Sequence, residues 1–113
     1  MEIVVDEVNP NTKCLKLSGR LDHKGSGEIE MRFTALTSTN SDSIAVDMRD
    51  VDFIASIGMR LLLSCAKAKS ARGGRMVLFG LQPLVMEALS SAGIDTLIPI
   101  QSERESALSA LQA

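Results

Sequence analysis

The stretch Val51-Asp52-Phe53-Ile54-Ala55-Ser56-Ile57-Gly58-Met59 decides how this chain folds. It joins a short hydrophobic strand, Ile44 to Met48, to a long amphipathic helix that is predicted to begin near Ile57. Ser56 lies where this helix must start, and serine is a favoured N-cap because its hydroxyl accepts a hydrogen bond from an N–H group of the first turn. A phosphate suits the same place, since unpaired N–H groups and the positive end of the helix dipole converge there. Ser56 is therefore either a plain helix cap or a phosphorylation site.

Strand and helix signals alternate on the N-terminal side of this junction. Glu2 to Val8 and Lys13 to Ser18 are predicted to pair as an antiparallel hairpin, because Asn9-Pro10-Asn11 between them is a typical turn sequence. Gly25-Ser26-Gly27 is predicted to interrupt the chain before a first helix. The apolar side of that helix recurs at helical spacing and consists of Ile29, Phe33 and Leu36.

The second helix is predicted to run from about Ile57 to Arg72 and to end at Gly73-Gly74. Its polar side chains are predicted to reach water, and they are Arg60, Lys67 and Lys69. Its inward side is predicted to consist of Leu61, Leu62, Cys65, Ala66 and Ala68.

The last third of the chain continues the alternation. The predicted elements are a strand from Met76 to Phe79, a helix that begins at Pro83 and a short strand from Thr96 to Ile100. A final helix follows, because Ser102-Glu103-Arg104-Glu105 has the spacing of a capping box. This alternation implies right-handed crossovers, so Met76 to Phe79 should pair in parallel with Ile44 to Met48. We therefore predict one α/β domain over residues 1–113. It has a mixed, mostly parallel sheet of four or five strands, an N-terminal antiparallel hairpin and about four helices.

The composition restricts the classes of partner. The formal net charge is −2 and the sequence pI is about 5.3, which argues against a nucleic-acid partner because such a partner favours a basic surface. The chain also contains no Trp and no Tyr on which bases could stack. No nucleic-acid partner is therefore expected.

Two features of the sequence predict the cellular location of the protein. The N-terminus lacks the apolar core of a signal peptide, and the richest apolar run, Ile57 to Ala66, is too short to span a bilayer. Cys14 and Cys65 show no ligand spacing and are predicted to be buried free thiols, with a disulfide or metal pair as the alternative. We expect a cytoplasmic protein without membrane insertion.

The candidate groups for catalysis or metal binding are few. A hydrolase nucleophile elbow needs Gly two residues before the serine, but Ile54 stands there, and His23, the only histidine, lies in a turn beside Asp22. The sequence thus predicts no catalytic group. Three carboxylates could hold Mg²⁺ but are interpreted as a solvated acidic turn, and they are Asp47, Asp50 and Asp52.

The first turn of the second helix offers contact residues for a partner. Arg60 lies four residues after Ser56 on the same helix face, where it is either an ordinary surface residue or a counter-charge for a phosphate. Ile57 and Met59 lie about 200° apart around the helix, so at least one of them is a candidate for an exposed contact.

Two blocks of this sequence resemble the STAS domain, best known in bacterial anti-sigma factor antagonists. Val46-Asp47-Met48 followed by Phe53-Ile54-Ala55-Ser56-Ile57-Gly58-Met59 is similar to the family's signature around a phosphorylated serine. Leu17-Ser18-Gly19-Arg20-Leu21-Asp22-His23 looks like the family's strand-Gly-x-hydrophobic-Asp segment. Ala55 departs from the pattern, because the family usually has Asp there.

The resemblance implies a STAS-like fold and a partner-switching regulator without a metal or an obligatory cofactor. Such a protein, when unmodified, binds an anti-sigma factor that is also a serine kinase. The resemblance implies that phosphorylation at Ser56 separates the two proteins and that a serine phosphatase restores the unmodified form. The alternative is a STAS adaptor subunit that is never phosphorylated, for instance in a transport assembly. A monomer is expected, with a homodimer as the alternative. The residues implied in partner binding are Asp22, His23, Ile57, Gly58, Met59 and Arg60.

Overall fold

The computed structural model describes residues 1–112 and arranges them around one five-stranded β-sheet with strand order β1-β2-β3-β4-β5. β1 and β2 pair antiparallel, and every later pair is parallel, which confirms the predicted hairpin and mixed sheet. The pairing Ile44↔Met76 to Asp47↔Phe79 confirms that the two central strands are parallel neighbours. The strands are β1 Glu2–Asn9, β2 Thr12–Leu21, β3 Ser43–Ile54, β4 Met76–Phe79 and β5 Ile100–Gln101.

Four α-helices cover the two faces of the sheet unequally. Three of them contribute to the larger core cluster, in which Phe33, Leu62 and Leu89 meet inward-facing strand residues. The fourth covers a smaller cluster on the other face through Ala107 and Leu111. The helices are α1 His23–Ser38, α2 Ser56–Ala71, α3 Pro83–Ser91 and α4 Arg104–Gln112.

The first helix begins at His23, two residues before the predicted break at Gly25-Ser26-Gly27, so that prediction was wrong. Asp22 is the N-cap of α1, and its Oδ1 accepts a hydrogen bond of 2.8 Å from the Gly25 N–H. A Cβ atom on Gly25 would lie 1.8 Å from the carbonyl oxygen of Arg20. Gly25 is therefore needed inside the first turn, because the helix starts directly against the strand that precedes it.

The C-terminal elements also differ from their predicted bounds. Thr96 to Ile100 is not a strand: Ile94–Thr96 forms a 3-10 helix, and β5 is Ile100–Gln101. The Thr96 hydroxyl donates to the carbonyl of Gly93 at 2.7 Å, which holds this residue in the turn. The predicted capping box is also shifted, because α4 begins at Arg104.

Lys69 was predicted to reach water but is completely buried. Its Nζ donates to the backbone oxygen and to the Oδ1 of Asn40, both at 2.9 Å. Burial lowers the pKa of the Lys69 ammonium group below its ordinary value, with Asp42 acting in the opposite direction. Lys69 therefore ties α2 to the loop between α1 and β3.

Candidate functional site

The candidate site lies where β2 and β3 end and α2 begins. Leu21 and Ile54 are register partners at the carboxyl ends of these two parallel strands. The N–H of Ala55 donates to the Leu21 carbonyl at 3.0 Å, which fixes the start of α2 beside the start of α1. Ligand sites of α/β sheets commonly lie at this edge. The chain thus places Asp22 and His23 next to the segment that contains Ser56.

The N-terminus of α2 lacks a side-chain cap. Ala55 is the N-cap residue, with φ −105° and ψ 173°, and it has no side-chain acceptor. The first helical hydrogen bond runs from the Met59 N–H to the Ala55 carbonyl at 3.1 Å, so the N–H groups of Ser56, Ile57 and Gly58 have no partner within the helix. Ser56 is the first helical residue and is exposed. The interpretation of Ser56 as the cap was therefore wrong by one position.

Gly58 allows the helix to approach the strands closely. It is buried, and a Cβ atom there would lie 2.8 Å from both the Cβ and the carbonyl oxygen of Leu21, and 3.2 Å from the Cγ1 of Ile54. Contacts this short would force the helix away from the sheet. Gly58 thus has a packing role, and its predicted role in partner binding stays a prediction.

Arg20 and Phe53 lie beside the site, although no sequence pattern indicated them as site residues. The guanidinium group of Arg20 sits 4.3 Å from the ring centre of Phe53, and its Nε lies 3.4 Å from the Oδ2 of Asp22. The hydrogen bond from Gly25 lowers the pKa of the Asp22 carboxyl, and Arg20 lowers it further. Phe53 remains 38% exposed, so this pair presents an apolar and cationic surface next to an exposed His23.

The predicted contact residues of α2 differ in their surroundings. Met59 is half-buried and packs against the larger core cluster. Ile57 is also half-buried, but with the exposed Arg60 it lines a groove of about 430 Å³ between α1 and α2. Ile57 thus lines an open groove whereas Met59 packs on the core, and partner contacts at these positions stay predictions.

The three carboxylates do not form the predicted solvated turn, because β3 continues through them. Asp47 is 2% exposed and accepts hydrogen bonds from the Arg49 side chain, Nε at 3.0 Å and Nη2 at 2.7 Å. Burial alone would raise the pKa of Asp47, but the bonds from Arg49 lower it overall. Asp50 pairs with Lys16 at 3.1 Å, and Asp52 is exposed.

The remaining candidate groups are metal ligands, cysteines and apolar helices. No group of three or more His, Cys, Asp or Glu side chains in residues 1–112 is placed to hold a metal ion. Cys14 and Cys65 are both buried free thiols, as predicted, and burial raises the pKa of Cys14. In the same part of the chain, each helix is too short or too polar to cross a lipid bilayer.

Comparisons with known proteins converge on one family. The sequence model of the STAS domain matches residues 4–107. The anti-sigma F factor antagonist of Paenibacillus polymyxa is 27% identical over 99 residues, covering 87% of this chain and 85% of that protein.

Two solved structures share the fold and confirm the expected STAS-like architecture. One is the crystal structure of an anti-sigma factor antagonist from Mycobacterium paratuberculosis, with a TM-score of 0.87, 18% identity, and coverage of 99% of this chain and 94% of that chain. The other is SpoIIAA, a Bacillus cell fate determinant, in its phosphorylated form, with a TM-score of 0.68, 20% identity, and coverage of 93% and 96%.

Proposed function

Because the chain belongs to the STAS domain family, we propose that it is an anti-sigma factor antagonist that is switched by phosphorylation of Ser56. It would act in the cytoplasm as a monomer. The observation that carries this proposal is the exposed residue Ser56 at the first position of an uncapped helix, beside the ends of two strands.

The surroundings of Ser56 can accommodate a phosphate. The N–H groups of the first turn of α2 have no acceptor within the helix, and the positive end of the helix dipole favours an anion there. Arg60 is exposed four residues further along α2, on the same face as Ser56. A similar protein, SpoIIAA, is known in a phosphorylated form. These features support Ser56 as the phosphoacceptor.

The proposed docking surface combines apolar and charged groups around this serine. Its centre is the strand end where Arg20 stacks on Phe53 and contacts Asp22. A partner that covers this surface buries the exposed part of Phe53 and the half-buried Ile57, and it can pair with either charge. The docking surface consists of Arg20, Asp22, His23, Phe53, Ser56, Ile57, Met59 and Arg60.

Phosphorylation would release the partner through charge. The γ-phosphoryl group of ATP is transferred to the Oγ of Ser56 while ADP leaves, and a base of the kinase takes the hydroxyl proton. The product carries about −1.5 to −2 charge in the middle of the docking surface. A nearly complete switch requires roughly 5.5 kcal/mol of differential affinity, which repulsion and desolvation of a phosphate within an interface can supply. A serine phosphatase then restores the unmodified form.

In this scheme the partner supplies the catalysis. The proposed partner is an anti-sigma factor with serine kinase activity, and binding of the unmodified chain frees the sigma factor that the partner had sequestered. This chain contributes a docking surface and an acceptor hydroxyl, with no catalytic group of its own.

The experiment mixes the chain with serine kinases that are encoded beside its own gene, and it measures how strongly each kinase binds and phosphorylates the chain. Ser56→Ala should bind but gain no phosphoryl mass with ATP, whereas Ser56→Asp should bind more weakly than wild type. Because Ser56 is not the cap, Ser56→Ala should change the free energy of unfolding by less than about 0.5 kcal/mol. Ser90→Asp is the matched control, since Ser90 is exposed on α3 and lies outside the docking surface.

Two results would contradict the proposal. Equal binding by wild type, Ser56→Ala and Ser56→Asp would exclude a switch at this serine and favour the adaptor that is never phosphorylated. Phosphoryl mass on Ser56→Ala would place the modification at a different residue.

A further inference from the structure

A second groove opens at the amino-terminal end of β4, far from Ser56. It has a volume of about 490 Å³ and lies between the second half of α2, the start of β4 and the segment before β5. Lys67 on its wall follows Ser56 by eleven residues, which is roughly 16 Å along the helix axis. We call it the basal groove; its lining includes Leu63, Lys67, Arg75, Met76, Leu97 and Ile98.

The floor and one wall of the basal groove are apolar. Met76 and Ile98 are buried beneath it, at 4% and 1% exposure, while Leu97 on the rim is 58% exposed. The Leu97 N–H donates to the Ile94 carbonyl at 2.9 Å, so the backbone that carries this side chain is fixed by the 3-10 turn. A large leucine side chain is thus held open to solvent at the rim of a formed cavity, where an apolar ligand could cover it.

The charged side chains that line the basal groove are all positive. Lys67 and Arg75 are both exposed there, and no carboxylate of residues 1–112 is among the lining side chains. The Arg75 Nη1 donates to the carbonyl of Ala110 at 3.3 Å, and Ala110 also lines the groove. Both cations also lie near the negative end of the α2 dipole, so a role in stabilising that helix end is the competing explanation.

We propose that the basal groove binds a small amphipathic anion, namely a carboxylate with an alkyl chain of medium length. The chain lies on Met76, Ile98 and Leu97, and the carboxylate pairs with Lys67 and Arg75. The volume falls within the range of roughly 300–1,000 Å³ that small-molecule pockets occupy. This site is independent of the switch at Ser56.

The test uses the fluorescent probe anilinonaphthalenesulfonate, which also combines apolar rings with an anion. The chain has no Trp and no Tyr, so its own fluorescence does not overlap with the probe. The folded protein should bind the probe saturably, and decanoate should displace it. Decanol lacks the charge and should compete roughly tenfold less well, as expected for the loss of one charge-assisted contact. Butyrate keeps the charge but lacks six methylene groups of the chain, and it should compete at least roughly a hundredfold less well.

Variants locate the site. Lys67→Glu and Arg75→Glu should each weaken displacement by decanoate at least tenfold, and Leu97→Glu should do the same by placing a like charge at the rim. Met31→Glu and Lys24→Glu make matched changes at exposed positions of α1 and should leave the affinity unchanged. Circular dichroism of each variant checks that it is folded, and amide chemical shifts on adding decanoate should change most around residues 97 and 98.

Three outcomes would overturn the proposal. If decanol competes as well as decanoate, the two cations serve only the end of α2. If Lys67→Glu and Arg75→Glu bind like wild type, the anion is not held there. If the chemical-shift changes centre on α1 or on the docking surface, the ligand binds elsewhere.

Discussion

Replacing Ala55 by Asp should stabilise the folded chain, because Ala55 occupies the N-cap position of α2 and cannot cap it. The chain provides its own template at α1, where Asp22 has φ −88° and ψ −170° and accepts from the Gly25 N–H three residues on. Ala55 has nearly the same conformation, and the residue three positions after it is Gly58. An Asp at position 55 should therefore accept from the Gly58 N–H in the same way.

The size of this effect follows from the two contributions of the new carboxylate. A capping side chain stabilises a helix by about 0.5–2 kcal/mol relative to Ala. A negative charge at the helix N-terminus adds about 0.3–1 kcal/mol. Repulsion from the nearby Asp22 and Asp52 opposes the second contribution, so we expect a net gain of about 1 kcal/mol, or roughly 4 °C in the midpoint of thermal unfolding.

The assay is urea unfolding of wild type, Ala55→Asp and Ala55→Asn. Both variants should raise the midpoint at an unchanged slope, since each supplies a capping oxygen. The hydrogen bond should hold the folded-state pKa of the Asp variant below its unfolded value of about 3.9. Its added stability is then complete above the unfolded pKa and is lost as the pH falls through the folded pKa, whereas the Asn variant keeps its gain. Unchanged midpoints in both variants would refute the assignment of Ala55 as the N-cap.

Two further predictions concern buried contacts. Gly58→Ala should lower the free energy of unfolding by about 1–3 kcal/mol, because the new Cβ would meet Leu21 at 2.8 Å. The control Gly27→Ala has nothing within 4 Å of its new Cβ and should stabilise α1 by up to about 1 kcal/mol. Equal urea midpoints for the two variants would contradict this prediction. Because burial lowers the pKa of Lys69, the free energy of unfolding should rise with pH from the folded pKa of Lys69 to the ordinary lysine value. Lys69→Met should lose this rise, whereas the control Lys67→Met should keep it. Identical pH dependence in the two variants would show that Lys69 is not its source.

Periodicity and turn chemistry were sufficient to predict the N-terminal hairpin and the central parallel pair of the sheet. The parallel pairing of Ile44 to Met48 with Met76 to Phe79 was predicted correctly, because apolar runs separated by a helix leave few other arrangements. The N-terminal hairpin was predicted correctly for a similar reason, since the turn sequence lies between two strand patterns. Each of these features follows from apolar periodicity and turn residues that are visible within the segments themselves.

The errors fall where single contacts in the folded chain determine the structure. Gly25 looked like a helix breaker, but the carbonyl of Arg20 requires a glycine inside the helix. Lys69 looked like a surface residue, but it is buried against Asn40, which lies 29 residues away. Neither contact leaves a pattern in the local sequence, so neither could be predicted from it.

The structure brings the segments of the candidate site together at the ends of β2 and β3, and their role stays a prediction. The contacts among them depend on the strand register, which the sequence does not show. Arg20 and Phe53 face each other as register partners across two irregularities in the β2–β3 pairing. A shift of one residue would place them on opposite sides of the sheet. The start of α2 also lies one position earlier than a Ser56 cap requires, because Ala55 takes the N-cap conformation without a capping side chain.

The close fit of Gly58 against Leu21, together with the bond from Ala55 to the Leu21 carbonyl, leaves the start of α2 no room to move. A phosphate on Ser56 would therefore be presented on a rigid support, and the signal would reach a partner as an electric field without a change of shape. Mobile ions screen such a field over about 8 Å at physiological ionic strength. If Ser56 is phosphorylated as proposed, the switch would be sensitive to the salt content of the cell: the stronger the screening, the less completely the phosphorylated form would be excluded from its partner.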